Sequence, residues 1–234
     1  MNIQDYFSKL NEESQLIFKK SIKEKEQLGK AHHFASCIYE FSECISDPLE
    51  KELFVTVSAQ MESATLNLTL GMYRPAFASL RLALEMALGA IYFSVHKIEL
   101  NEWLDGRADI KWSRLVDENN GVLSKRFSNA FFKELSSEID NYRGKAILTY
   151  RNLSEFVHGN NETWMKSGLK VSYNQELFDF YFKHLAAVFE VLIFSLTCRY
   201  LKNLDQSVRE SLQFVPEELN HIPMIRAIFG GPKE

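Results

Sequence analysis

Apolar positions recur along this chain with the period of a helix. No useful length alternates apolar and polar residues with the period of a strand. Breakers are few, ten glycines and five prolines in 234 residues, so they divide the chain into long pieces. The pattern predicts a charged amphipathic helix over 12–28, ending near Gly29, and a second over 31–46, stopped by Asp47-Pro48. A third runs over 49–70 and ends at Gly71. A fourth runs over 74–96, with Pro75 suited to its first turn. Shorter helices are expected over 98–133, around Gly106 and the "ENNG" of 118–121. A long helix follows from 134 to His158, then a loop over 160–173, a long helix over 174–203, and short helices over 207–213 and 217–228. The expected fold is all-α. Residues 1–47 are read as an N-terminal helical extension, 48–205 as a helical bundle, and 206–234 as short C-terminal helices and a tail.

Two stretches are nearly apolar enough to span a membrane, "AFASLRLALEMALGAIYFSV" (76–95) and "LFDFYFKHLAAVFEVLIFSL" (177–196). Arg81 and Glu85 interrupt the first; Asp179, Lys183, His184 and Glu190 interrupt the second. Spanning helices tolerate such charges poorly, so both read as central helices of a soluble bundle with no membrane partner. Arg81 and Glu85 stand one helical turn apart. An unpaired charge there is costly, so they read as an internal ion pair, or as groups orienting a polar site nearby.

Composition narrows the chemistry. Eighteen phenylalanines fill the space between long helices, and a net charge of −4 gives no chain-wide attraction to nucleic acid or anionic lipid. Any anion site must be local, and 142–170 is a modest basic island with five Lys or Arg against two Glu. Cys37, Cys44 and Cys198 fit no disulfide framework and no zinc knuckle; they read as free thiols in a reducing cytoplasm. The start, "MNIQDYFSKLNEES", has no apolar segment and no cleavage site of a signal peptide, which agrees with a cytoplasmic chain. His32 and His33 are adjacent and point different ways on a helix, so no metal site is expected there. No Gly-rich loop follows a strand, and no cofactor is expected.

The remaining candidate is "TYRNLSEFVHGNN" (149–161). Seven residues of α-helix turn through about 700° and rise about 10.5 Å, so Arg151 and His158 would share a face. Asn152 adds a neutral donor and acceptor, and Glu155, four residues on, could hold the guanidinium. Gly159 suits the position just past a helix end, where the dipole favours a protonated His158. Beyond it, Lys166 and Lys170 could bind phosphates and Trp164 could stack on a base. Side chains lean toward the helix N-terminus, so Arg151 leans away from His158. A two-fold homodimer that sets two such helices together would complete the site. The plain reading is a favourable helix-end histidine and a surface Arg–Glu pair. With ten Arg and six His in the chain, chance alone expects about one such spacing.

Arg151-Asn152, five further residues and His158 resemble the Arg-x(4–6)-His motif of the HEPN superfamily, in which a polar residue often follows the arginine. "LGMYRPAFASLRLALEMALGAIYF" (70–93) is similar to the first long core helix of prokaryotic HEPN-like proteins, where "YR-A---LR-ALE" is common. The resemblance covers roughly 50–205. It implies a helical bundle dimerising around the motif and, in many members, metal-independent RNA cleavage in toxin–antitoxin or phage-defence systems. Arg151 would then bind phosphate, His158 would transfer protons, and Asn152 would position the scissile group. Some members carry a nucleotide-accepting tyrosine two residues after the histidine; this chain has Asn160 there. The expected function is thus an endoribonuclease with RNA, a second copy and an antitoxin or other protein as partners. The alternative is a non-catalytic HEPN-like module that binds RNA, nucleotide or a partner protein.

Overall fold

Caps and one left-handed glycine set the ends of the central helices. The computed structural model describes residues 2–157 and 171–232. In chain order the helices among them are α1 (Ile3–Ser21), α2 (Lys25–Glu43), α3 (Pro48–Thr69), α4 (Tyr73–Phe93), α5 (Lys97–Leu104) and α6 (Trp112–Leu115). They continue with α7 (Lys125–Phe131), α8 (Ile139–Ser154), α9 (Gln175–Tyr200), α10 (Gln206–Ser211), α11 (Phe214–Glu218) and α12 (Pro223–Ile228). Single 3-10 turns cover Lys133–Leu135 and Leu201–Asn203, and no strand occurs among the described residues. The chain folds as an all-α helical bundle.

Asp47 Oδ1 accepts from the backbone N–H groups of Leu49 and Glu50, both at 3.0 Å, and Pro48 occupies the first turn of α3. At the other end Gly71 takes φ +77°. Its N–H donates to Leu68 O at 2.9 Å and that of Met72 to Asn67 O at 2.9 Å, a Schellman closure that satisfies the last carbonyls of α3. This turn lets α4 fold back on α3.

The helix α4 is the axis of the bundle, with α3, α8 and α9 packed against it. Its Ala76, Phe77, Leu80, Ala83, Leu84, Ala87, Leu88 and Ile91 are buried at three- and four-residue spacing, the period of a helix face turned to a core. By length and composition α4 could cross a membrane, yet 61% of its most apolar window is buried inside the fold. The helix α2 packs on α3 and α9 through Ala31, Ala35, Ile38 and Phe41, members of the same core.

Two contacts hold the flanks of 158–170 to α4. Phe156, buried beyond α8, stacks on Phe77 with centroids 4.0 Å apart. The Tyr73 hydroxyl accepts from Asn174 N at 2.7 Å and donates to Asn174 O at 3.2 Å, while Asn174 Oδ1 caps α9 through Leu177 N.

The limits of α1, α2 and α8 differ from the sequence pattern. The first helix starts at Ile3 and ends at Ser21, and Gly29 lies inside α2 instead of ending a helix. The break falls at 22–24, in a charged run without a breaker. There Ile17 and Ser21 pack on one side of the turn and Ala31 on the other. The helix predicted over 134–158 is α8, which begins at Ile139 after the 3-10 turn and ends at Ser154.

Candidate functional site

The C-terminal end of α8 carries the predicted arginine. Arg151 is exposed, and among the described residues no ion pair or hydrogen bond holds its guanidinium. Glu155, the partner expected for it, caps α8 and has interactions of its own.

The winding changes just beyond. Glu155 N donates to Arg151 O four residues back, but Phe156 N and Val157 N donate three residues back, to Leu153 O and Ser154 O. Ser154 Oγ also donates to Tyr150 O at 2.7 Å, a side-chain bond that competes with the helical ladder. Three-residue winding turns by about 120° per residue instead of about 100°, so the face advances by about 60° over three residues. Added to the about 700° of seven α-helical residues this makes about 760°, about 40° past two full turns, so the tighter winding does not by itself overturn the shared-face expectation. His158, Trp164, Lys166 and Lys170 lie outside the described residues.

Asn152, half-buried on the inner side of α8, donates through Nδ2 to His184 Nε2 on α9 at 3.1 Å. His184 is 4% exposed; its Nδ1 donates to Phe180 O at 2.8 Å and its ring lies on Phe180, centroids 4.0 Å apart. Burial holds its pKa below the ordinary value, the Phe180 carbonyl opposes that, and Lys183 adds to it. His184 is thus a neutral imidazole with its proton on Nδ1. The sequence shows His184 only as a polar interruption in an apolar helix. Its place, four residues after Phe180 on an otherwise apolar and aromatic face, is the one local hint that it needs a distant partner.

Arg81 and Glu85 are indeed partners across one turn of α4, with Nη2 and Oε2 3.8 Å apart and side chains 20% and 18% exposed. Their shared contact is Tyr150, the residue before Arg151. Arg81 Nη2 donates to the Tyr150 hydroxyl, which donates to Glu85 Oε1 at 3.4 Å. The Arg81 guanidinium also lies 4.5 Å from the Tyr150 ring centre, and Trp112 stacks on that ring at 3.8 Å. Burial raises the Glu85 pKa, and Arg81 and Tyr150 oppose the rise. Among the described residues this pair fixes α4 against α8 and reaches neither Arg151 nor Asn152.

The other polar groups behave as structure. His32 pairs with Glu62 at 2.7 Å, while His33 Nε2 lies 3.5 Å from Cys37 Sγ, so the adjacent histidines point apart. Cys37 beside His33 has the outline of a nucleophile and base. Burial, with help from Glu40, Glu218 and Glu217, pushes that thiol up to about 12, so it is not a thiolate near neutral pH. Cys37, Cys44 and Cys198 are free thiols. No cluster of three His, Cys, Asp or Glu side chains suited to a metal ion occurs among the described residues.

Compared with models of protein families, with curated proteins and with solved structures, the chain finds no match in any of the three.

Proposed function

We propose that this chain is a HEPN-like, metal-independent endoribonuclease, acting in the cytoplasm as a homodimer in a toxin–antitoxin or phage-defence setting. The observation that carries the reading is the pairing at the end of α8. An exposed Arg151, free of any ion pair among the described residues, adjoins Asn152, whose amide is held from behind by His184. A guanidinium without a carboxylate partner suits a phosphodiester, whose charge it can hold with two parallel hydrogen bonds. In the reaction the ribose 2′-oxygen attacks the adjacent phosphorus and the bond to the 5′-oxygen breaks. A 2′,3′-cyclic phosphate and a 5′-hydroxyl result. His158 transfers the proton, and Arg151 balances the charge that grows on the phosphoryl oxygens.

A second reading has its own support. The regular winding of α8 ends at Ser154, and beside it the described residues offer an anion-binding guanidinium and an amide. A HEPN-like module that binds RNA, nucleotide or a protein such as an antitoxin through Arg151, without cleavage, fits that feature. Incubation with labelled single-stranded RNA separates the two. Cleavage lost in Arg151→Ala supports the enzyme. Binding that depends on Arg151, with no cleavage at any pH, supports the module.

A further inference from the structure

A primary amide can face a hydrogen-bonding partner with either end, and its neighbours decide which. For Asn152 the decision is made two bonds away. The Phe180 carbonyl can only accept, so the His184 Nδ1 at 2.8 Å must carry a proton. In a neutral imidazole Nε2 is then an acceptor, and Asn152 must present its NH2 group to it at 3.1 Å. The ring cannot swing to exchange these roles. It is buried, lies on Phe180 with centroids 4.0 Å apart, and is fixed at both nitrogens. The Asn152 Oδ1 therefore faces away from His184, and no group among the described residues donates to it.

We infer that His184 is a positioning residue that locks the Asn152 amide with its carbonyl oxygen turned from His184, as an acceptor for the ribose 2′-hydroxyl next to the phosphate held by Arg151. The inference rests on the ribonuclease reading of the site and names what Asn152 does in it. A phosphate oxygen cannot donate, so an Oδ1 left without a donor gains nothing from the phosphodiester itself. A hydroxyl can donate, and in nucleic acid the 2′-hydroxyl is the group that distinguishes RNA from DNA. A single neutral hydrogen bond of this kind is worth about 1 kcal/mol, on the order of a fivefold preference. Burial, which keeps His184 uncharged, keeps its Nε2 an acceptor and so maintains the lock.

The test uses the full chain in two arms. In the first, nitrogen NMR of the wild type reads the His184 tautomer and the Asn152 side-chain NH2. The expected signature is a protonated Nδ1, a bare Nε2 and slowly exchanging Asn152 NH2 protons; a protonated Nε2 near neutral pH overturns the inference. In the second, His158→Ala prevents turnover, and fluorescence anisotropy compares a single-stranded RNA with the DNA of the same sequence. His184→Leu should reduce the RNA preference about fivefold, and His184→Gln, whose amide oxygen can accept from Asn152, should restore most of it. In the catalytically intact background, His184→Leu should lower kcat/KM for RNA about fivefold, chiefly through KM. If His184→Leu does not fold, Asn152→Ala should show the same loss. Wild type that cuts RNA while all these variants keep the full preference and kcat/KM overturns the role of His184 and leaves the ribonuclease reading standing. Wild type that neither binds nor cuts RNA overturns both.

Discussion

Tyr150 on α8 donates its hydroxyl proton to Glu85 on α4 at 3.4 Å while the same oxygen accepts from Arg81, so one phenol closes an ion pair whose charged atoms are 3.8 Å apart. The pair is about one-fifth exposed. Losing one member should therefore cost less than the about 3–5 kcal/mol of a fully buried pair, and more than the about 1 kcal/mol of a surface one. Arg81→Ala should cost about 2–3 kcal/mol and Tyr150→Phe about 1 kcal/mol in urea unfolding. A loss below about 1 kcal/mol for Arg81→Ala would show that solvent already screens the pair.

Glu85 also predicts a pH dependence. Its folded pKa is raised, mainly by burial, so the folded state binds this proton more tightly than the unfolded chain does. Ionised Glu85 costs stability above the folded pKa. That cost is relieved as pH falls through it, fully so below the ordinary value of 4.5. Between pH 7 and pH 4.5 the wild type should gain stability relative to Glu85→Gln, the difference cancelling all other carboxylates. A flat difference across that range, read by chemical denaturation, contradicts the burial argument.

His184 carries the opposite sign. Its folded pKa is lowered, so below the ordinary 6.5 the unfolded chain takes up a proton that the folded state refuses. Stability should fall as pH drops below about 6.5, and His184→Gln should lose that part of the acid limb. Lys183, beside it on α9, adds to the shift and remains in both proteins. Superimposable acid limbs for the two proteins count against a buried, uncharged imidazole.

The outward face of α8 predicts self-association. Ile147 and Leu148 are 42% and 60% exposed, Gly144 has nothing within 4 Å of where a Cβ would lie, and Arg151 continues the same side. Two copies of this face can approach closely and would bring two Arg151 side chains together. Sedimentation velocity at micromolar concentration should show a dimer, and Leu148→Glu should shift it toward monomer. A wild-type monomer rules out the shared-site mechanism.

The chemistry proposed for 151–158 has its own signature. His158→Ala should abolish RNA cleavage while leaving Tm nearly unchanged, and Arg151→Ala should remove both cleavage and much of the RNA binding. Activity should survive EDTA, fail on DNA, and leave 2′,3′-cyclic phosphate ends in mass spectrometry. A His158→Ala protein that unfolds, beside a wild type that never cuts RNA, makes the histidine a structural residue only.

What the sequence discloses follows the range of the interactions. The limits of α3 and α4 are legible because Asp47-Pro48 and Gly71 act within a few residues, through a cap and a positive φ. The burial of α4 and α9 is legible from their apolar spacing. The turn at 22–24 is not, because tertiary packing and no local breaker sets it. The end of α8 at Ser154 is not either, because no glycine or proline stands there and the apolar spacing runs on past it. Asn152 with His184 joins residues 32 apart, and the link between Tyr150 and Arg81 joins residues 69 apart. No periodicity along the chain reports such pairs.

The two fastenings on α4 bear on how such a protein can change over generations. Phe77 holds Phe156 and Tyr73 holds Asn174, and these two α4 residues are one helical turn, about 6 Å, apart. Neither fastening draws on residues 158–170. Tyr73 and Phe77 therefore carry both ends of the interval that holds His158, Trp164, Lys166 and Lys170. In descent, a change at either of these α4 positions is felt at one end of that interval, so two neighbouring sites on a core helix constrain both of its ends.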